Sequence, residues 1–137
     1  MSPQDHLALA ERFISALEAG DVEAVRGVYA PDAKLWHNND EIEQTVDQNL
    51  RVLAWLIHAL PERRYRILRR EILADGFMQQ HVLEGVLADG QPFAMPACVV
   101  VQAKDGRIIR LDEYLDPAAG APLAAQARRA KTVSAAP

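Results

Sequence analysis

Cysteine occurs once in the 137 residues, at Cys98, so no disulfide can close within the chain and the fold must rest on buried apolar surface. Apolar runs stop at the length of a strand, too short for a membrane-spanning helix. A basic surplus is missing as well. With 15 Lys and Arg against 19 Asp and Glu the net charge is −4, which lacks the cationic footprint that phosphate backbones recruit, so nucleic acid is not an expected partner. The opening Met1 to His6 has neither the cationic start nor the apolar stretch of a secretion signal. Together with the lone thiol, this sets the expectation of a cytoplasmic protein that does not engage membranes. What is present is 50% hydrophobic residues and enough length for one domain to bury its own core.

Ser2, Pro3 and Asp5 open a helix whose face repeats through Leu7, Ala10, Phe13, Ile14 and Leu17 as far as Gly20. Asp21 caps a second, short helix with Val22, Val25, Val28 and Tyr29 on one face, and Pro31 follows it. Ala33 to His37 reads as a brief strand. A third helix is capped by either Asp40 or Thr45 and carries Val46, Leu50, Leu53, Ile57 and Leu60. Beyond Pro61 the period changes. Segments near 62–74, 77–88, 91–104 and 107–115 are separated by Asp75-Gly76, Asp89-Gly90 and Asp105-Gly106, the dipeptides of tight hairpins that need positive φ, so consecutive strands should pair antiparallel. Five arginines, at 63, 64, 66, 69 and 70, read as a solvated face or outer edge. The expected architecture is α+β, with three N-terminal helices packed on a curved sheet of four to five mostly antiparallel strands that forms a conical pocket. It occupies residues 1–117; residues 118–137, rich in Ala and Pro, are expected as a loose tail or short helix.

The segments Ala19-Gly20-Asp21-Val22-Glu23-Ala24-Val25, Tyr29-Ala30-Pro31-Asp32-Ala33 and Asp105-Gly106-Arg107-Ile108-Ile109-Arg110-Leu111-Asp112-Glu113-Tyr114-Leu115-Asp116 resemble the SnoaL-like branch of the nuclear transport factor 2-like superfamily. That resemblance covers about residues 5 to 117. It implies the conical fold, a homodimer paired through the outer sheet face, and no cofactor. Against ketosteroid isomerases, the aspartate base matches His37, the oxyanion tyrosine matches Phe13 and the oxyanion aspartate falls on Cys98 or Val99. Phenylalanine donates no hydrogen bond, and losing an oxyanion donor removes about 3–4 kcal/mol, so that mechanism is not expected. Against limonene epoxide hydrolases, the last-strand acid matches Glu113, His37 and Leu35 take the asparagine and tyrosine positions, and the Arg-x-Asp pair becomes Gln80 and Val82.

Both comparisons direct His37 and Glu113 to one pocket, where the carboxylate would fix the imidazole tautomer and raise its basicity. The ordinary alternative is a histidine that merely packs. A one-residue slip would substitute Asp112 for Glu113. Tyr29 and Trp55 match pocket-wall positions, Gln80, Val82 and Glu84 should share the inner face of their strand, and Glu84 there would be a second acid needing a partner. Cys98 reads as a buried thiol, and His6 and His58 lack partners at metal-ligand spacing, so no metal site is expected. The functional expectation is a small-molecule pocket performing isomerisation, cyclisation or hydration by acid–base chemistry on a largely apolar substrate. The alternative is a ligand-binding or dimerisation module without catalysis.

Overall fold

The structure is a computed structural model and describes residues 1–135, with side chains as far as Lys131. Helices α1 (Pro3–Ala19) and α2 (Val22–Val28) lead into strands β1 (Tyr29–His37) and β2 (Glu43–Gln44), then α3 (Val46–Ala59). Strands β3 (Arg64–Leu73), β4 (Gly76–Val86), β5 (Pro92–Lys104) and β6 (Arg107–Leu115) follow, and α4 (Pro117–Ala135) closes the chain. Local chemistry sets these limits. The Ser2 hydroxyl accepts from the Asp5 amide in a reciprocal capping box, Gly20 ends α1 at φ 69°, and Asp21 caps α2. Of the two caps considered for α3 the structure uses Thr45, boxed with Gln48, while the Asp40 carboxylate accepts from the Ile42 amide in the preceding loop.

The sheet has six strands in the order β2-β1-β6-β5-β4-β3, one more than the upper expectation because the two-residue β2 pairs with β1. Its meander is antiparallel as expected, but β1 and β6 are parallel, which seats the first strand beside the last. Tyr29 begins β1 rather than ending α2. At Asp105-Gly106 both residues take positive φ, 52° and 80°, as the hairpin requires. Gly76 serves another purpose: a Cβ there would lie 1.8 Å from the Val101 carbonyl oxygen, so it is close backbone approach that requires glycine.

Helix α1 covers β3 and β4, α3 covers β1, and α4 covers β5, all on the same face of the sheet. Beneath them Leu35, Leu111, Val101 and Phe77 align across four strands as an almost fully buried row. The segment expected as a loose tail or short helix is the 19-residue α4 instead; Ala136 and Pro137 lie outside the described residues. Leu123 anchors α4 in the core, and the Gln126 amide donates to the Ala59 carbonyl at 2.9 Å while accepting from the Ala88 amide at 2.7 Å. One anchor and one bidentate amide are hard to see in an alanine-rich sequence. No helix among the described residues is long and apolar enough to cross a membrane.

Candidate functional site

Strand β1 pairs in parallel with β6 so that His37 stands opposite Glu113 and Leu35 opposite Leu111. Alternation turns these four residues toward the helices, and it turns Trp36 and Asp112 away. The pairing is extended beyond His37 by Asn38, whose side chain donates to the Leu115 carbonyl (3.1 Å) and accepts from the Leu115 amide (2.9 Å). This clamp sets the register. It excludes the one-residue slip, and Asp112 instead accepts from Arg110 on the outer face.

His37 Nε2 lies 3.2 Å from Glu113 Oε1, with the side chains 19% and 20% exposed. Burial opposes the charged imidazole, but the Glu113 hydrogen bond and charge, aided by Asp40, outweigh it and raise the His37 pKa. Glu113 also acts at longer range. Burial and its negative charge both push the Tyr29 and Tyr65 hydroxyls well above the ordinary tyrosine range, so both remain donors.

Phe13 meets Tyr29 edge to face, with ring centroids 5.8 Å apart, and both belong with Leu35 to the buried core on the Glu113 side of the sheet. The other expected lining residues lie elsewhere. Gln80, Val82, Glu84 and Cys98 occupy the outer face: Gln80 pairs with Cys98 and Cys98 with Tyr114, Val82 lies between Arg66 and Pro96, and Glu84 forms an ion pair with Arg66. The inner positions belong to Gln79, His81, Leu83 and Val99. Side chains alternate with period two, so placing β4 one residue out exchanged its faces. Reading Phe77 and Leu83 as core residues would have placed Gln79 and His81 inside. Trp55 is 42% exposed on α3 and lines a separate open cavity of about 1020 Å³ with His58, Leu87 and Gln126. A smaller cavity of about 520 Å³ lies against Leu68, Gln80, Cys98 and Tyr114.

The sequence reading missed four residues of the inner face: Arg70, Gln79, His81 and Tyr65. Arg70 Nε and Nη2 both donate to Gln79 Oε1, at 2.9 and 2.7 Å, and Gln79 Nε2 lies 3.1 Å from His81 Nδ1. Tyr65 packs edge-on against the His81 ring at 5.4 Å between centroids. Burial lowers the His81 pKa; Glu113 acts against this and Arg70 with it. Among the described residues no three His, Cys, Asp or Glu side chains gather as metal ligands would.

The sequence profile of the SnoaL-like domain family matches residues 10–111. Among solved structures, PrhC from Penicillium brasilianum superposes with a TM-score of 0.82 at 16% identity, covering 95% of this chain and 93% of its own. AclR from Streptomyces galilaeus, described as a proposed hydroxylase, gives 0.80 at 12% identity, with 90% and 87% covered. IdmH from Streptomyces antibioticus, described as a proposed polyketide cyclase, gives 0.74 at 20% identity, with 92% and 98% covered. At these identities the likeness is one of fold. The search of curated proteins returned no match.

Proposed function

Because the chain belongs to the SnoaL-like family, we propose that it is a small-molecule pocket protein in which His37, oriented by Glu113, transfers a proton on a small, largely apolar ligand without a cofactor. The observation that carries this reading is the inward-facing pair, 3.2 Å apart on adjacent strands and mostly withdrawn from water. With Glu113 accepting from Nε2–H, Nδ1 becomes the basic nitrogen, and the carboxylate stabilises the imidazolium that forms when Nδ1 takes a proton. Phe13, Tyr29 and Leu35 supply the apolar wall. Isomerisation, aldol-type cyclisation and addition of water all need such a group, and the cyclase and hydroxylase descriptions of two structural relatives fall within that range.

The α3–α4 cavity favours a second reading. At about 1020 Å³ it exceeds the 520 Å³ hollow beside Gln80, and much of its wall is apolar, with Trp55, Ala59, Pro61, Val86 and Leu87, as suits a protein that holds a ligand without transforming it. In either case the active form is proposed as a cytoplasmic homodimer paired through the outer sheet face, where Leu68 and Tyr114 are 55% and 50% exposed and Trp36 stacks edge-on against Tyr114.

Deuterium exchange into weakly acidic C–H positions of a small-molecule panel separates the two readings. The native protein should accelerate exchange in at least one compound, and His37→Ala should reduce that acceleration by about 100-fold or more. Glu113→Gln should reduce it by a smaller factor. Equal rates in all three proteins would remove the acid–base role and leave the binding module.

A further inference from the structure

The α3–α4 cavity has walls of two kinds. One belongs to the body of the domain, where Trp55 stands on α3 and Val86 and Leu87 lead from β4 into its hairpin. The other is α4, which contributes Gln126, Ala127, Ala130 and Lys131. Among the described residues Leu123 is the one α4 side chain in the buried core, so little apolar surface holds this helix down. The Gln126 amide adds the second tie. Its Nε2–H donates to the Ala59 carbonyl at the end of α3, and its Oε1 accepts from the Ala88 amide in the β4–β5 connection, at 2.9 and 2.7 Å. A carbonyl only accepts and a backbone N–H only donates, so this amide orientation is fixed. One side chain therefore fastens α4 to both parts of the opposite wall.

Between Gln126 and Lys131 the helix has no large apolar residue. Ala127 and Ala130 lie one turn apart on the lining face, and their methyl groups leave open the space that leucines would fill. The remaining volume, about 1020 Å³, is at the upper end of the range for small-molecule pockets, roughly 300–1,000 Å³. Trp55 and Val86 are 42% and 50% exposed along it, apolar surface that an occupant would cover. Charge narrows the choice of occupant. With histidine neutral, the lining carries one carboxylate, Glu62, and one ammonium, Lys131, whose formal charges cancel. An ion of either sign would leave water without meeting a net counter-charge. A neutral ring loses little hydration and packs on the Trp55 indole.

We propose that the α3–α4 cavity takes a neutral, largely aromatic molecule and that its occupancy is coupled to the docking of α4, with Gln126 as the positioning residue that holds the α4 wall in place. This rests on the ligand-holding reading above and deepens it by naming a ligand class and a means of regulation. A molecule touching both walls binds the docked helix only. It therefore favours docking by the factor 1 + [L]/Kd, and whatever frees α4 weakens binding through the same linkage.

The probes are N-phenyl-1-naphthylamine, which is neutral, and 8-anilinonaphthalene-1-sulfonate, which has the same rings and an anionic group. The chain has two tryptophans, so in Trp36→Phe the indole fluorescence comes from Trp55 alone. The neutral probe should quench it and bind about tenfold more tightly than the sulfonate. Ala130→Phe fills the cavity from α4 and Val86→Asp charges it from β4. Each should weaken binding of the neutral probe by about tenfold or more and leave the far-ultraviolet circular dichroism spectrum unchanged. Amide hydrogen exchange reads the coupling: with the neutral probe at about ten times its dissociation constant, the α4 amides should exchange about tenfold more slowly. Gln126→Ala should speed that exchange and weaken the probe. Tighter binding of the sulfonate, or no quenching of Trp55 by the neutral probe, would overturn the proposal. Binding untouched by either wall variant would overturn it together with the ligand-holding reading. Binding lost in both wall variants, beside α4 exchange that neither the probe nor Gln126→Ala alters, would overturn the coupling alone and leave that reading standing.

Discussion

At the scale of single residues, the sign of each histidine's pKa shift decides what pH does. The His37 pKa is raised, burial being outweighed by the Glu113 carboxylate, so the ring remains protonated above the ordinary value of about 6.5. A base has to be neutral. The acid limb of the exchange rate should therefore lie above that value, and Glu113→Gln should move it down. For stability the sign reverses: a raised folded pKa gives a contribution fully present below the unfolded value and lost as pH rises through the folded one. The urea midpoint of the native protein should thus exceed that of Glu113→Gln by more near pH 6 than near pH 8, values bracketing the ordinary imidazole pKa of about 6.5. His81 acts oppositely. Burial lowers its pKa, so acidification protonates the unfolded chain first and weakens the fold, and Gln79→Leu should alter that acid sensitivity. Period-two alternation made Glu113 or Asp112 legible as the inward acid; Asn38, a loop residue until it pairs with Leu115, settled which.

At the scale of elements, the arginine-rich strand divides. Arg66 and Arg69 form ion pairs with Glu84 and Glu71 along the edge strand, as a solvated edge predicts. Arg70 turns to Gln79, and Arg63 ties two helix ends together. Its guanidinium donates to the Leu17 and Glu18 carbonyls at the end of α1 and to the Leu60 and Pro61 carbonyls just past α3. Helix C-termini carry unsatisfied carbonyls and partial negative charge, so one cation serves both. Replacing Arg63 with Met should cost about 3 kcal/mol in urea unfolding, while Arg64→Met at the exposed neighbouring position should cost under about 0.5 kcal/mol. Gly76→Ala should cost about 2 kcal/mol or more, because its new methyl meets the Val101 backbone rather than a side chain able to move. The helices and hairpins were readable because caps and turns are local. The inner and outer arginines were not, since identical side chains separate only once the strand has a neighbour.

At the scale of the whole molecule, the proposed pairing through the outer sheet face predicts a dimer in sedimentation equilibrium. Tyr114→Arg should shift it toward monomer with an unchanged far-ultraviolet circular dichroism spectrum. A monomeric native protein would end that proposal. The amino-acid sequence by itself determined most helix starts and stops, the antiparallel meander with its turns and the α+β class, because capping, turn geometry and hydrophobic period act over a few residues. Only the tertiary structure decided the rest. The parallel contact of β1 with β6 brings His37 to Glu113 across 76 positions of chain, counted from their numbering. The faces of β4, the Arg70–Gln79–His81 relay and the docking of α4 likewise depend on which strands become neighbours. Those pairings are set by how the complete core closes, which no short stretch of sequence encodes.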